Sequence, residues 1–378
     1  MDLMLLYQEP FLIIATMAIL AVITLLLCIQ YARSAFAKRK SPDKLRGELP
    51  GVSIVLCVRN EYDNLVRLLP ALLEQEYDHF EVIVVNKNSE DDTEILLTSL
   101  EHYHHNLTIR NLAADRKFGH DNLMALGIGV RAARYPYVVF FRPDCHPSSE
   151  KWLASLVRNI PETSATAVIG YISFKGSPPL VRYDMLEQQL HYMAMADLNL
   201  AYTSEGNNTL FLKEKLISGK EFDTMTTTYN QCEQAIVSHV TSEGKTRSCI
   251  YPEGTVTLNR RVSLKEYHLT RIRNLKTMVL TKSRSYLLLT FEKVCIAAFY
   301  VMLILTILRS AGTWNIYELS TIGGMLLLRW ITLWIHHAGY RIHLREKELV
   351  YAAPLWDPVS VLVHFYFLAA LFVKRIKN

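Results

Sequence analysis

Apolar residues change their spacing twice along the chain, and the changes divide it into three parts. The first run, from Phe11 to about Ile29, carries no charge and has a length that suits a bilayer core of ~30 Å. Between about residues 51 and 260, short apolar runs alternate with helical spacing. Val52–Val58, Phe80–Val85, Leu107–Leu112 and Tyr137–Phe141 read as strands, and Asn64–Glu74, Asp91–Leu100 and Asn122–Arg134 as helices. This alternation predicts an α/β fold with a doubly wound parallel sheet, whose ligands bind beyond the carboxyl ends of the strands. After about Arg284 the chain turns apolar again. Ala297–Leu308, with flanks from Tyr286, and Ile322–Ile335 predict two membrane helices joined by an external loop, Arg309–Leu319. Val359–Val373 follows Pro354 and Pro358. It reads either as a short span or as a re-entrant or interfacial segment. The expected organisation is an N-terminal membrane helix within residues 1–32, an α/β domain over 48–275, and a C-terminal membrane region of two or three helices over 286–378.

Charge gives this arrangement an expected orientation. Only Asp2 and Glu9 precede the first apolar run, whereas Arg33, Lys38, Arg39, Lys40 and Arg46 follow it. The positive-inside rule then places the N-terminus outside and the α/β domain in the cytoplasm, as part of a multi-pass protein of the cell (inner) membrane. A cleaved signal peptide is the competing reading, but the flank is not basic and no small-residue cleavage site follows. The terminal cluster Lys374, Arg375 and Lys377 would lie outside if the last run spans, against the same rule. Net charge is +5, yet the basic residues gather beside apolar runs, which points to a lipid bilayer as partner and to no nucleic acid. The six cysteines are scattered without a Cys-x-x-Cys pair, so neither a disulfide framework nor a zinc site is indicated.

The residues that follow the strands carry a resemblance. Ser53 to Val58 and then Arg59-Asn60-Glu61 closely resemble the opening strand and turn of family 2 glycosyltransferases, and the likeness runs through about residues 51–275. One apolar run before the domain and several after it are also similar to membrane-bound members. The resemblance implies a GT-A fold, a nucleotide-sugar as partner, and transfer of the sugar to a glycan or lipid-linked acceptor. Such chemistry needs positive charge against a diphosphate leaving group, from Mg or Mn or from cationic side chains, and a carboxylate base for the acceptor hydroxyl.

Several positions that should carry this chemistry hold other residues. Where the family shows two Asp and then Gly-Ser-x-Asp, the chain has Asn86-Lys87-Asn88-Ser89-Glu90-Asp91. Asn86 retains an amide able to bond a base edge, while Ser89 and Asp91 either contact the donor or cap the next helix. His120 stands at the family's Gly-Lys lysine, as a phosphate contact or as a surface histidine. At the Asp-x-Asp metal motif the chain reads Arg142-Pro143-Asp144. Asp144 matches the metal-binding Asp. Arg142 either pairs with it and cancels the site, or binds donor phosphates in place of a metal. Asp144, Cys145 and His146 form a less favoured metal candidate. Asn207 and Asn208, after Gly206, resemble the acceptor segment, and 218–222 resembles the turn after it. The catalytic-base pair is replaced by Asn230-Gln231-Cys232-Glu233, which leaves Glu233 either as a base in shifted register or as an ordinary helix-start residue. Arg271 and Arg273 survive from the Gln-x-x-Arg-Trp motif of processive members, to hold a diphosphate or to face the inner leaflet; loss of its Gln and Trp argues against polymer synthesis. Two functions stay open: a membrane-anchored transferase moving one sugar to a lipid-linked or envelope glycan, and a non-catalytic relative that binds a nucleotide-sugar, a glycan lipid or a partner enzyme.

Overall fold

The computed structural model describes residues 18, 22, 25, 26, 49–112, 122–160, 165–218, 233–241, 244–280, 284–310, 316–344 and 346–377. The chain divides into two compact units, one of residues 40–285 and one of residues 1–39 with 286–378.

The first unit is built on a seven-stranded sheet. Its strands are β1 (Val52–Val58), β2 (Phe80–Asn86), β3 (Leu107–Asn111), β4 (Tyr137–Phe141), β6 (Ala167–Gly170), β8 (Thr209–Leu212) and β9 (Thr246–Cys249). They lie in the order β3-β2-β1-β4-β8-β6-β9. Strand β1 pairs in parallel with β2 and with β4, but β8 runs antiparallel to β4 and β6, so the sheet is mixed and not the parallel one that the alternation of strands and helices predicted. A small second sheet joins β5 (Cys145–Pro147), β10 (Val256–Leu258) and β7 (Ile172–Ser173).

The central strands are apolar almost without a break because helices cover both faces of a parallel sheet. All five residues of β4 are buried. The polar exceptions are paired, as burial requires. Ser53 donates to Glu81 at 2.7 Å, and Glu81 also accepts from the backbone N–H and the guanidinium of Arg134. Helix α1 (Tyr62–Leu73) buries Leu65, Leu68, Leu69, Leu72 and Leu73 on one face. Helix α2 spans Thr93–Tyr103 and α3 spans Asn122–Ala132. Gly129 lets α3 sit close to β1, because a Cβ there would fall 2.4 Å from Val55 Cγ1. The remaining helices of this unit are α4 (Trp152–Val157), α5 (Pro179–Asp197), α6 (Lys213–Ser218), α7 (Glu233–Val240) and α8 (Leu264–Leu280).

The second unit contains three long helices, α9 (Arg284–Ser310), α10 (Ile316–Leu344) and α11 (Lys347–Lys377). Phe299 and Leu303 of α9 pack on Ile322 and Met325 of α10, and Cys295 and Ile296 pack with Val361 and Leu26. Arg329 of α10 forms a buried two-pronged ion pair with Asp357 of α11 at 2.8 and 3.0 Å, and Tyr300 donates to the same carboxylate. The last apolar run differs from its expected shape. Pro354 and Pro358 lie inside α11 instead of before it, and Ser360 donates to the Asp357 carbonyl within this proline-rich stretch. Neighbouring helices and hydroxyl side chains let an apolar helix tolerate such prolines. Among the described residues, Leu287–Leu308 and Glu348–Val373 are long and apolar enough to cross a membrane. Helix α10, which carries the expected span Ile322–Ile335, is not one of these two. The first apolar run falls mostly outside the described residues.

Candidate functional site

The sheet reverses its order at β1 and β4, and the turns that leave these strands border a cavity of about 420 Å³. Doubly wound sheets place their ligand sites at this kind of switch point. The wall includes Arg59 and Glu61 after β1, Lys87 after β2, and Arg142 and Asp144 after β4. Glu205, ahead of β8, joins them, with Arg260 after β10 and Glu266 and Arg273 on α8.

The turns after β1 and β2 are stitched to each other by short polar side chains. Asn60 takes a left-handed conformation, φ 53°, which asparagine tolerates better than most residues. Its N–H donates to Ser89 Oγ at 3.0 Å, and its side-chain oxygen accepts from the N–H of Glu90 at 2.8 Å. Asn86 is buried, accepts from Ser89 Oγ at 2.6 Å and donates to Asn111 at 3.1 Å. Both halves of its amide thus serve the turn. Asp91 accepts from the N–H groups of Tyr62 and Thr93. Burial works against its charge, but these bonds outweigh it and hold the carboxyl below its usual range. Arg59 reaches Glu90 at 3.6 Å.

At the end of β4 the arginine pairs with the aspartate. Arg142 Nε donates to Asp144 Oδ1 at 3.0 Å and Nη2 to Oδ2 at 2.6 Å. Arg260 Nε adds a third bond to Oδ2 at 2.9 Å, while its Nη1 meets Glu266 at 2.6 Å. Burial alone would raise the Asp144 pKa; the charges and hydrogen bonds of the two arginines outweigh it and lower it. A divalent ion wants several free oxygen ligands, and here both oxygens of the one matching carboxylate are held by guanidinium. Cys145 is buried, and burial first, then the Asp144 charge, pushes its thiol well above the usual range. His146 Nδ1 faces the Pro147 carbonyl at 2.8 Å. Among the described residues no three His, Cys, Asp or Glu side chains converge as a metal site. The described residues do not fit a resident Mg or Mn.

The asparagines before β8 support the site from below. Asn207 Oδ1 accepts from the Arg142 N–H at 3.2 Å. Asn208 is buried at φ 52°. It accepts from Trp152 Nε1 at 2.9 Å and donates to the carbonyls of Tyr171 and Gly254. Gly170 makes room for it, since a Cβ there would lie 2.3 Å from Asn208 Nδ2. Asn208 is therefore a structural pivot that ties β8 to α4 and to the β6–β7 connection.

The two arginines expected at a diphosphate part company. Arg273 lines the cavity. Arg271, two residues earlier on α8, is buried and paired with Asp184 of α5 at 3.2 Å. His120 and Asn230-Gln231-Cys232 fall outside the described residues, as does 219–222. Glu233 begins α7, and its side chain is outside them too. Three charged cavity residues escaped the sequence reading, Arg260, Glu205 and Glu266. Arg260 follows a strand of three residues, too short to announce itself. Glu205 directly precedes the Gly206-Asn207-Asn208 segment, and a carboxylate abutting a recognisable turn was the available signal.

Burial pushes the Glu205 carboxyl up to about 7; Arg271 and Arg142 oppose the shift and Asp184 adds to it. Its Oε1 has no solvent exposure and no hydrogen-bond partner among the described residues.

Comparison with known proteins agrees with this architecture. Residues 53–219 match the profile of Glycosyl transferase family 2. Over 174 residues the chain is 28% identical to Glycosyltransferase AglE of Haloferax volcanii, covering 45% of this chain and 54% of that protein. The chain thus spans about half the length of that curated relative. Among solved structures, the mannosyltransferase PcManGT of Pyrobaculum calidifontis, in complex with GDP-Man and Mn2+, superposes with a TM-score of 0.51. It is 18% identical, and the match covers 92% of this chain and 98% of that one. At that identity the likeness speaks for the fold. The α/β unit that holds the cavity has a GT-A-like fold, and its residues 53–219 are similar to Glycosyl transferase family 2.

Proposed function

We propose that this chain is a membrane-anchored glycosyltransferase that moves a single sugar from a nucleotide-sugar to a lipid-linked or envelope glycan acceptor, and that arginines take the place of the metal. The observation that carries this reading is the pairing of Asp144 with both Arg142 and Arg260. Asp144 uses two N–H groups of Arg142 and one of Arg260. A guanidinium has five N–H donors, and Arg260 spends one on Asp144 and one on Glu266, which leaves others for phosphate oxygens. Asp144 then acts as the brace that holds two cations at the mouth of β4. Arg59, Lys87 and Arg273 add positive charge to the same wall. Positioned cations of this kind stabilise the charge that develops as a nucleoside diphosphate leaves.

The two long apolar helices, Leu287–Leu308 and Glu348–Val373, support membrane anchoring. In this reading the basic stretch from Arg33 to Arg46 keeps the domain on the cytoplasmic side. The Mn2+ of the mannosyltransferase belongs to that protein; here the arginine pair supports donor binding without a resident ion.

The test is calorimetric titration of the detergent-solubilised chain with a panel of nucleotide-sugars, with Mn or with EDTA. Saturable binding that survives EDTA and weakens in Arg142→Ala is the expected result. A strict Mn requirement overturns the metal-free reading. Binding without transfer to glycan, lipid-linked acceptor or water leaves the non-catalytic binding role, and no binding to any donor removes both.

A further inference from the structure

Glu205 stands in an environment that a merely structural carboxylate would avoid. It lines the cavity beside Arg142 and Asp144, on the segment that runs past the end of β4, where Asn207 bonds the Arg142 backbone. Its Oε1 is sealed from solvent and lacks a hydrogen bond among the described residues. Buried carboxylates in stable cores are bonded, because an unbonded one costs free energy without return. The catalytic-base positions of the family hold Asn230 and Gln231 in this chain, and amides accept no proton at neutral pH. Beside them Glu233 remains in the sequence with its side chain outside the described residues, whereas Glu205 is a carboxylate on the cavity wall.

We infer that Glu205 is the catalytic base: its carboxylate takes the proton of the acceptor hydroxyl as that oxygen attacks the donor sugar. The inference rests on the transferase reading above. The acceptor O–H proton passes to Glu205 and the acceptor oxygen forms the new bond to the anomeric carbon. The bond from that carbon to the diphosphate breaks, and the nucleoside diphosphate leaves with the electron pair. The charged groups around Glu205 suit the task. Arg142 comes from the end of β4 and Arg271 from α8, while Asp184 on α5 opposes them. Tyr192 of α5 feels the Glu205 charge in turn. Glu205, with its carboxyl at about 7, is poised to accept a proton at neutral pH and to release it after product departs.

A structural reading competes: Glu205 serves only as a distant counter-charge to Arg271. Glu205→Gln keeps the shape and separates the two. Donor affinity is measured by calorimetry, and transfer is followed from pH 5 to 9 in the full-length protein. The base role predicts donor affinity within about twofold of wild type and a fall in transfer of about 10²–10⁴. The acidic limb of the wild-type kcat profile should vanish, and Glu205→Asp should recover part of the rate. Transfer by Glu205→Gln at the wild-type rate with the acidic limb intact overturns the base role and leaves the transferase reading standing. Donor binding with no transfer by the wild type overturns both. Lost rate with an unaltered limb and no recovery in Glu205→Asp marks a structural residue and also overturns the inference.

Discussion

Arg142 and Asp144 grip each other across Pro143, with two parallel hydrogen bonds of 3.0 and 2.6 Å. The resemblance to family 2 enzymes implied a metal-binding carboxylate at Asp144, and the arginine two residues earlier turns that carboxylate into a brace for itself and for Arg260. Of the two fates that Arg142 had in the sequence, the pairing with Asp144 is present in the fold, and donor-phosphate binding belongs to the proposal. A bidentate pair with a second arginine on one of the same oxygens engages both carboxylate oxygens that an ion would need.

Restoring the carboxylate should restore the ion. Arg142→Asp removes one guanidinium and places two acids at the end of β4. Electron paramagnetic resonance of added Mn is expected to show a bound signal in the variant and none in the wild type. Mn bound equally by both proteins would show that the arginines do not exclude it.

Glu205 makes a prediction about stability that is separate from its role in transfer. Its folded pKa of about 7 lies above the ~4.3 of an unfolded glutamate. The folded state therefore holds the proton longer than the unfolded one. Its share of the stability is complete below ~4.3 and declines as pH rises toward the folded value. Glu205→Gln cannot ionise, so its thermal midpoint should exceed that of wild type at pH 8 by several degrees more than at pH 5. An equal offset at both pH values would mean that the carboxylate is not strained in the folded protein.

The Asn208 pivot should be intolerant of change. Asn208→Ala deletes three buried hydrogen bonds at once and leaves Trp152 Nε1 and two carbonyls without this partner. A loss of about 3–5 kcal/mol is expected. Gly170→Ala drives a methyl into the same amide and should destabilise to a similar degree. A thermal midpoint unchanged in both variants would contradict this account.

The buried pair of Arg329 and Asp357 offers a test in the helical unit. Removing one partner leaves a buried charge, so Arg329→Leu alone should cost about 3–5 kcal/mol. Changing both residues to leucine should recover most of that loss, because the desolvation of both charges disappears with them. A double variant as unstable as the single one would show that Tyr300 or another polar neighbour, and not the paired charge, sets the cost.

The α/β frame was readable because its pattern is local. Strands β1, β2 and β4 are apolar runs of five to seven residues, and the helices between them show a one-sided stripe, as in the five buried leucines of α1. The turns that border the cavity were readable as positions. Arg59, Asn60, Glu61, Arg142 and Asp144 sit where the strand ends put them. Their roles were not readable in the same way. Asn86 and Ser89 spend their polar atoms on each other, and only the pairing of β2 with β3 brings Asn111 to Asn86.

By itself the sequence determined the apolar strands β1, β2, β3 and β4 and the turns that leave them, because backbone pattern and burial act over a few neighbouring residues; the antiparallel β8 that makes the sheet mixed was not legible in it. Tertiary structure alone decided which charges meet. Arg260 reaches Asp144 from 116 residues away, Arg271 turns inward to Asp184 while Arg273 faces the cavity, and Glu205 Oε1 is left without a hydrogen bond among the described residues. The physical reason is that a side chain's partner, its burial and its pKa depend on what the fold packs against it, and those neighbours come from distant parts of the chain.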